Sequence, residues 1–415
     1  MSRPAILGGT PVGVERAPDW PPAREDVKKA LLAAFDSQNW TRHTGTQVEA
    51  FEKEFAQFIG CKRAVAVANG TVSLQAILHG LRLQPGDEVI VPAYTFIASA
   101  LAVLEAGGVP VFCDIDPDTY LIHWDHAEQL VTERTRAVMP VHIAGSACDM
   151  DRAQAFAERH GLAVIEDAAQ AHGTAWKGRR VGALGTAGSF SFQASKNMAA
   201  GEGGMITTDD EELAERIWSI HTLGRQRGGA WYGHYHRGTN YRLTEFQAAI
   251  LRPQLGTILE ENRLRAANAA HLDAALSQVP GLSPLRQLPH VTDRCYHLYI
   301  FKFDPAHFAA MSRQLFIKAM AAEGIPCTPG YNPLYREPLF RRVAEEYPAS
   351  FITNPERADY SRVSCPVTER AGTAEAVWIP HRFLLTRREN MQRVGEAAAR
   401  IQAYAAEIVQ KAQGA

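Results

Sequence analysis

The chain is 415 residues long, with 43 Lys and Arg against 45 Asp and Glu and a formal net charge of −2. At roughly 100–200 residues per domain this length holds two domains or three, and the near-neutral balance gives no charge-driven pull toward nucleic acid or an anionic membrane. With 46% hydrophobic and 21% charged residues, the composition is that of an ordinary globular protein able to bury a sizeable core.

The predicted elements fall into two patterns. From about Ala64 to Asp210, short apolar runs alternate with segments of helical period, the mark of βαβ units in a mostly parallel sheet. The predicted strands are Ala64–Ala68, Glu88–Val91, Val109–Asp114, Ala137–His142, Ala163–Asp167, Ser189–Phe192 and Met205–Thr208, with helices such as Thr71–Arg82, Ala98–Ala106 and Met150–His160 between them. Pro85-Gly86-Asp87 and Gly107-Gly108 end helices just before strands, as turn chemistry requires. After Asp210 come a helix (Glu211–Leu223), a loop rich in Gly, His and Tyr (Gly224–Gly238) and one long helix from about Thr244 to Ser277. A strand (Tyr296–Phe303) and two amphipathic helices (Ala306–Glu323 and Arg387–Lys411), with a Pro-rich region between the helices, complete a smaller α+β domain. The boundary is placed near Glu260, giving a large domain over 1–260 and a small one over 261–415.

The six cysteines, Cys61, Cys113, Cys148, Cys295, Cys327 and Cys365, include no C-x-x-C pair and no Cys/His set at zinc spacing. They read as reduced thiols of a cytoplasmic protein without a metal site. The apolar stretch at the N-terminus is too short for a signal peptide, and no run approaches the about 18 apolar residues of a membrane span.

Four stretches carry chemistry. In Ile165-Glu166-Asp167-Ala168-Ala169-Gln170-Ala171-His172-Gly173, an acid stands at the C-terminal end of a buried strand, where open α/β sheets bind ligands. A carboxylate there either caps the next helix or meets a fixed cation. In Ser189-Phe190-Ser191-Phe192-Gln193-Ala194-Ser195-Lys196-Asn197, a lysine follows an apolar strand and precedes Gly201-Glu202-Gly203-Gly204. Such a lysine either snorkels to solvent or, held among apolar groups, loses its proton and becomes a nucleophile toward a carbonyl. Asn69-Gly70-Thr71-Val72-Ser73 is a turn and helix start whose free N–H groups and hydroxyls suit a phosphate, and Pro92-Ala93-Tyr94-Thr95-Phe96 puts aromatic rings at the end of the next strand. A phosphate cradle, an aromatic platform, a buried carboxylate and an activated lysine are what pyridoxal phosphate requires.

Taken together, EDAAQAHG, SFSFQASKN followed by GEGG, ANGTVSL and NYRLTEFQAAI resemble the DegT/StrS family of pyridoxal-phosphate-dependent sugar aminotransferases, from the GGTPV opening to the late AVWIPHRFLL segment. GGTPV, QASKN and PGYNPLYREPLF are most similar to the ketocyclitol aminotransferases of aminoglycoside biosynthesis. The resemblance implies the fold type I architecture of these enzymes, with a mostly parallel seven-stranded sheet in the large domain. It implies that Lys196 carries the cofactor and that Asp167 keeps its pyridine nitrogen protonated. It further implies that Gln170 lies beside the phenolic oxygen, where the family has His or Gln, that Gly70, Thr71 and Ser191 contact the phosphate, and that Phe96 stacks on the ring. Asn240 matches an asparagine that reaches the phosphate bound by the neighbouring subunit, which implies a homodimer with shared active sites. The implied reaction is ping-pong amino transfer from L-glutamine or L-glutamate to a keto-cyclitol or keto-sugar. Trp40 and His43, in the WTRHTGTQ segment, and Tyr331, Tyr335 and His381, in the second domain, are candidates to face the substrate.

His142-Ile143-Ala144-Gly145 departs from many sugar-specific relatives, which have Tyr before the Gly, and favours a cyclitol or free sugar over a nucleotide-linked one. The tract His234-Tyr235-His236 with Arg225, Arg227 and Arg237 lacks acidic or Cys ligands, so it is read as a loop closing over a polyhydroxylated substrate rather than a metal or nucleic-acid site. Two other readings stay open. One is a synthase that aromatises an amino-dehydroshikimate-type acid on the same FSFQ…K…AGEGG arrangement, and the other is a non-catalytic sensor that kept fold and cofactor.

Overall fold

A computed structural model describes residues 1–414; Ala415, the end of the expected second domain, lies outside the described residues. Seven strands form the larger sheet: β1 (Arg63–Val67), β2 (Glu88–Pro92), β3 (Val109–Cys113), β4 (Thr135–Val138), β5 (Ala163–Asp167), β6 (Ala187–Ser191) and β7 (Gly204–Thr208). Their order is β1-β7-β6-β5-β4-β2-β3. All neighbours run parallel except at β7, which is antiparallel to both β1 and β6. Helices cover both faces, so the strands are buried apolar runs rather than alternating ones; Val89, Ile90 and Val91 have no exposed surface at all. Where His142 was the expected end of the fourth strand, β4 stops at Val138, because Pro140 has no N–H for the ladder.

A four-stranded antiparallel sheet (Leu282–Pro284, Leu298–Phe303, Ala376–Pro380 and Thr328–Pro329, in that spatial order) carries the second core. The rings of Phe301, Phe303, Phe308 and Phe316 fill it, and Leu7 from the start of the chain joins them. The Pro-rich region between the two sheets' last elements packs elsewhere: Leu334, Tyr335, Phe340 and Tyr360 cluster with Phe112 of β3.

Several predicted boundaries give way to local chemistry. The long helix expected over Thr244–Ser277 is two, Glu245–Leu255 and Ile258–Leu276, because Pro253 removes a helical N–H and Gly256 follows it. The helix expected from Ala306 begins at Arg313, after a short turn; Ala309 and Ala310 are left-handed (φ 50° and 56°), and the Ser312 hydroxyl accepts from Leu315 N–H at 3.2 Å as the cap. Tyr296 is also left-handed (φ 48°), so its strand starts only at Leu298. The last helix breaks at Tyr404 into Glu389–Ala403 and Ala405–Gln413. Among the described residues, no helix is long and apolar enough to cross a membrane, and no three His, Cys, Asp or Glu gather as a metal site would need.

Candidate active site

A cleft of about 1100 Å³ opens at the C-terminal ends of β1, β5 and β6 and is closed on its far side by Trp378, Pro380 and His381. This is where a doubly wound sheet exposes backbone that its neighbours do not use.

At the end of β1, Asn69 caps the helix Gly70–Gly80, its Oδ1 accepting from Val72 N–H at 3.0 Å. The N–H groups of Gly70 and Thr71, in the first turn, have no intrahelical acceptor by geometry, and both residues line the cleft beside Ser191. A Cβ at Gly70 would sit 2.7 Å from the Ser191 Cβ. Only glycine lets the end of β6 come this close to the helix start, and the result is a small pocket edged by amides and two hydroxyls.

Asp167 ends β5 and is only 6% exposed. Its Oδ2 accepts from the Ser99 hydroxyl at 2.8 Å, and Ser99 Oγ lies 3.0 Å from Thr95 Oγ1. A carboxylate only accepts here, so Ser99 donates to Asp167 and Thr95 donates to Ser99. Oδ1 has just one long bond, from Ala169 N–H at 3.2 Å, so the carboxylate keeps accepting capacity on the cleft side.

Lys196 lies in the loop after β6 and lines the same cleft. The side chain retains some contact with solvent, but protein surrounds its amine. Burial lowers its pKa from 10.5 to about 8, against the opposing charge of Asp167. The loop is held from both ends of the chain: the Trp20 indole donates to the Lys196 carbonyl at 2.9 Å, and His381 Nε2 pairs with the Ser195 carbonyl at 3.1 Å. Trp20 and His381 also meet edge to face at 4.6 Å.

Gln170 receives Ala144 N–H on Oε1 at 2.7 Å and donates from Nε2 to the Tyr331 hydroxyl at 3.2 Å. Burial, helped by the Asp167 charge and opposed by the Gln170 bond, pushes Tyr331 up to about 12, so it keeps its proton near neutrality. Phe96 stands 55% exposed at the cleft, its ring 6.2 Å from that of Tyr331.

The cleft thus brings together Gly70, Thr71, Phe96, Asp167, Gln170, Ser191, Lys196, Tyr331 and His381. It does not include the remaining candidates. Asn240 is exposed, just before the point where Tyr241 O accepts from Ala68 N–H at 2.7 Å. Trp40 stacks on Phe35 at 5.6 Å, and His43 sits near Arg242, Arg225 and Arg42; burial first, then these cations, lower its pKa. Tyr335 donates to Glu369 at 2.6 Å and receives Cys365 N–H at 3.0 Å beside Phe112, away from the cleft. His234 and His236 are engaged by the Leu223 carbonyl (2.6 Å) and the Ser219 hydroxyl (2.9 Å), at and just past the end of the helix that precedes their loop. Not among the sequence candidates are Thr95, Ser99, Trp20 and His297, although Thr95, Trp20 and His297 line the cleft and Ser99 bonds Asp167. The first two stand next to the flagged Phe96, one helical turn apart, and that spacing was a usable signal; nothing local marks Trp20 or His297.

Residues 22–397 match the family described as the DegT/DnrJ/EryC1/StrS aminotransferase family. An L-glutamine:2-deoxy-scyllo-inosose aminotransferase of Streptomyces fradiae is 36% identical over 422 residues, covering 97% of this chain and 98% of that one. Among solved structures, 3-amino-5-hydroxybenzoic acid synthase superimposes with a TM-score of 0.85 at 32% identity, covering 94% of this chain and 100% of that one. An aminotransferase from Psychrobacter cryohalolentis gives 0.83 at 31% identity, over 92% and 97% of the two chains.

Proposed function

Because the chain belongs to the DegT/DnrJ/EryC1/StrS aminotransferase family, we propose that it uses pyridoxal phosphate to move an amino group from L-glutamine or L-glutamate to a ketone of a cyclitol or sugar. The observation that carries this reading is Lys196, an amine softened to about 8 in the same cleft as the Asp167 carboxylate and the Gly70–Ser191 pocket. The residues fit the cofactor. Its phosphate suits the pocket that a Cβ at Gly70 would fill, and the unfilled side of Asp167 suits a protonated ring nitrogen.

When bound, the cofactor supplies an electron sink that acidifies the hydrogen on the amino-bearing carbon. Gly70, Thr71 and Ser191 hold its phosphate by N–H and hydroxyl donation at a helix start. Asp167, kept in one orientation by Ser99, holds a proton at the ring nitrogen, and Gln170 Nε2 donates to the phenolic oxygen. Phe96 covers one face of the ring. Lys196 is the base and acid that moves a proton at the reacting carbon, with a pKa close to working pH. Asn240 of the partner subunit completes the phosphate contacts, so the working unit is a cytoplasmic homodimer with shared sites. Residues 1–260 hold the cofactor, and 261–415 shape the mouth where donor and acceptor enter.

The test is spectral. Protein loaded with pyridoxal phosphate is yellow, and its visible band bleaches when L-glutamine or L-glutamate is added; a colourless protein, or a band indifferent to every amino acid, sinks the proposal. The likeness to 3-amino-5-hydroxybenzoic acid synthase favours one second reading, the aromatisation of a cyclic amino acid of dehydroshikimate type. Offering a ketocyclitol to the aminated protein and that acid to the protein loaded with pyridoxal phosphate separates the two, since spectral turnover with the acid alone decides for the synthase.

A further inference from the structure

Behind the cleft, Glu166 and His142 form a fully buried pair that no step above uses. Glu166 accepts four hydrogen bonds: Gly182 N–H at 2.8 Å and His142 Nε2 at 3.0 Å on Oε2, and Leu184 and Gly185 N–H, both at 2.7 Å, on Oε1. The tautomer of His142 is fixed by its other nitrogen. Cys148 N–H donates to Nδ1 at 3.0 Å, so the ring proton is on Nε2 and points at Glu166. An acid that faces four donors has no place for a neutral, hydrogen-bearing substitute.

His142 opens the turn His142–Gly145, and this turn touches the floor of the cleft twice. His142 N–H donates to the Asp167 carbonyl at 3.0 Å, and Ala144 N–H donates to Gln170 Oε1 at 2.7 Å. Ala144 is left-handed (φ 55°, ψ 14°), a conformation that costs a residue with a Cβ about 1 kcal/mol or more and persists only where the surroundings impose it. The surroundings are visible. Thr174 Oγ1 donates to Gly145 O at 2.8 Å, and a Cβ at Gly145 would meet Cys295 Sγ at 2.5 Å.

A carboxamide has two flips, and a backbone N–H selects between them because it can face only the oxygen. With Oε1 on Ala144, Gln170 presents its NH2 to Tyr331 and the cleft; in the other flip it would present an acceptor. We propose that Glu166 and His142 are positioning residues for the amino-transfer site, holding the His142–Gly145 turn so that Ala144 N–H fixes the Gln170 carboxamide with its donor end toward the cofactor. The inference rests on the function proposed above and adds a determinant that touches neither cofactor nor substrate.

The experiment is a double-mutant cycle read by the pH titration of the visible band of the cofactor-loaded protein, with kcat and thermal melting alongside. Glu166→Gln places NH2 against backbone N–H groups. Should it fail to fold, His142→Asn serves, since its Oδ1 can take the Cys148 N–H while its shorter reach leaves Glu166 one donor short. Gln170→Glu keeps an acceptor for Ala144 but removes the donor. Expected are a shift of the spectral midpoint in Glu166→Gln or His142→Asn in the same direction as in Gln170→Glu, a fall in kcat of roughly ten- to a hundredfold, and no further midpoint shift when either is combined with Gln170→Glu. A lowered melting temperature with the midpoint at its wild-type value, or shifts that add in the double variant, overturns the inference alone. A wild-type band that ignores every amino donor overturns it together with the function it rests on.

Discussion

The floor of the cleft and the arm that follows the helix Glu211–His221 are built on opposite terms. On the floor, Asp167, Gln170 and Ser99 are each bonded to protein and buried, so each side chain has one position before any ligand arrives. In the arm, Trp231 and Tyr232 are 83% and 74% exposed and Asn240 is exposed. The difference teaches where the two kinds of work are done. Preorganised groups in a dry site act on charge without reorganising first, whereas an exposed aromatic and amide surface gains its contacts only when something docks on it.

That contrast is most sharply broken on the floor. Lys196→Ala is expected to abolish amino transfer in a coupled donor assay, with cofactor still retained on gel filtration through the phosphate pocket. Next, Asp167→Ala should lower kcat/KM by roughly 10³-fold or more, since it removes a fixed charge from a low-dielectric site. Gly70→Ala acts on binding alone. The new Cβ must displace Ser191, 2.7 Å away, and cofactor affinity measured by fluorescence titration should fall roughly ten- to a hundredfold, or about 1.4–2.8 kcal/mol.

A fourth prediction uses the Lys196 amine in the cofactor-free protein. Its folded pKa, about 8, lies below the ordinary 10.5. Below pH 8 both folded and unfolded chains carry the proton, and the burial penalty is present in full. Between 8 and 10.5 the unfolded chain binds more protons, so stability rises with pH and the penalty disappears. Lys196→Met should therefore be the more stable protein at neutral pH, by at most about 3 kcal/mol, with the gap in melting temperature closing as pH is raised to 10.5. A gap that widens with pH contradicts the assignment. Smallest, and at the other region, Asn240→Ala should leave the melting temperature within the range of about 0.5 kcal/mol typical of surface changes. It should still weaken cofactor retention several-fold, and mixing it with Lys196→Ala should give dimers with one intact site that retains cofactor as the unsubstituted protein does; retention in the mixture no better than in the two variants apart would speak against shared sites.

Much of this site was legible because its chemistry sits in short segments at strand ends. The runs before Asn69, Phe96, Asp167 and Lys196 are apolar enough to mark strands, and the residues after them carry the donors. What stayed hidden is long-range. Trp20 meets Lys196 across 176 positions of sequence, and the Glu166–His142 pair looks locally like one acid and one histidine among many. Tyr335 shows the converse: a tyrosine in a Pro-flanked loop has the look of a site residue until packing places it under β3 with Glu369. The broken helix at Pro253 was readable in principle, since proline in a helix interior costs about 3 kcal/mol, but the periodicity on both sides of it is continuous enough to mask the break.

The clasp on the lysine loop also sets a schedule. The carbonyls of Ser195 and Lys196 are held by His381 and Trp20, one far downstream of the loop in sequence and one far upstream. A nascent chain that has passed residue 300 already owns all four flagged strand ends, yet the loop bearing its reactive amine has only one of its two fastenings. The site is therefore finished not by elongation through its motifs but only once the segment carrying His381 has been made and has docked on the loop.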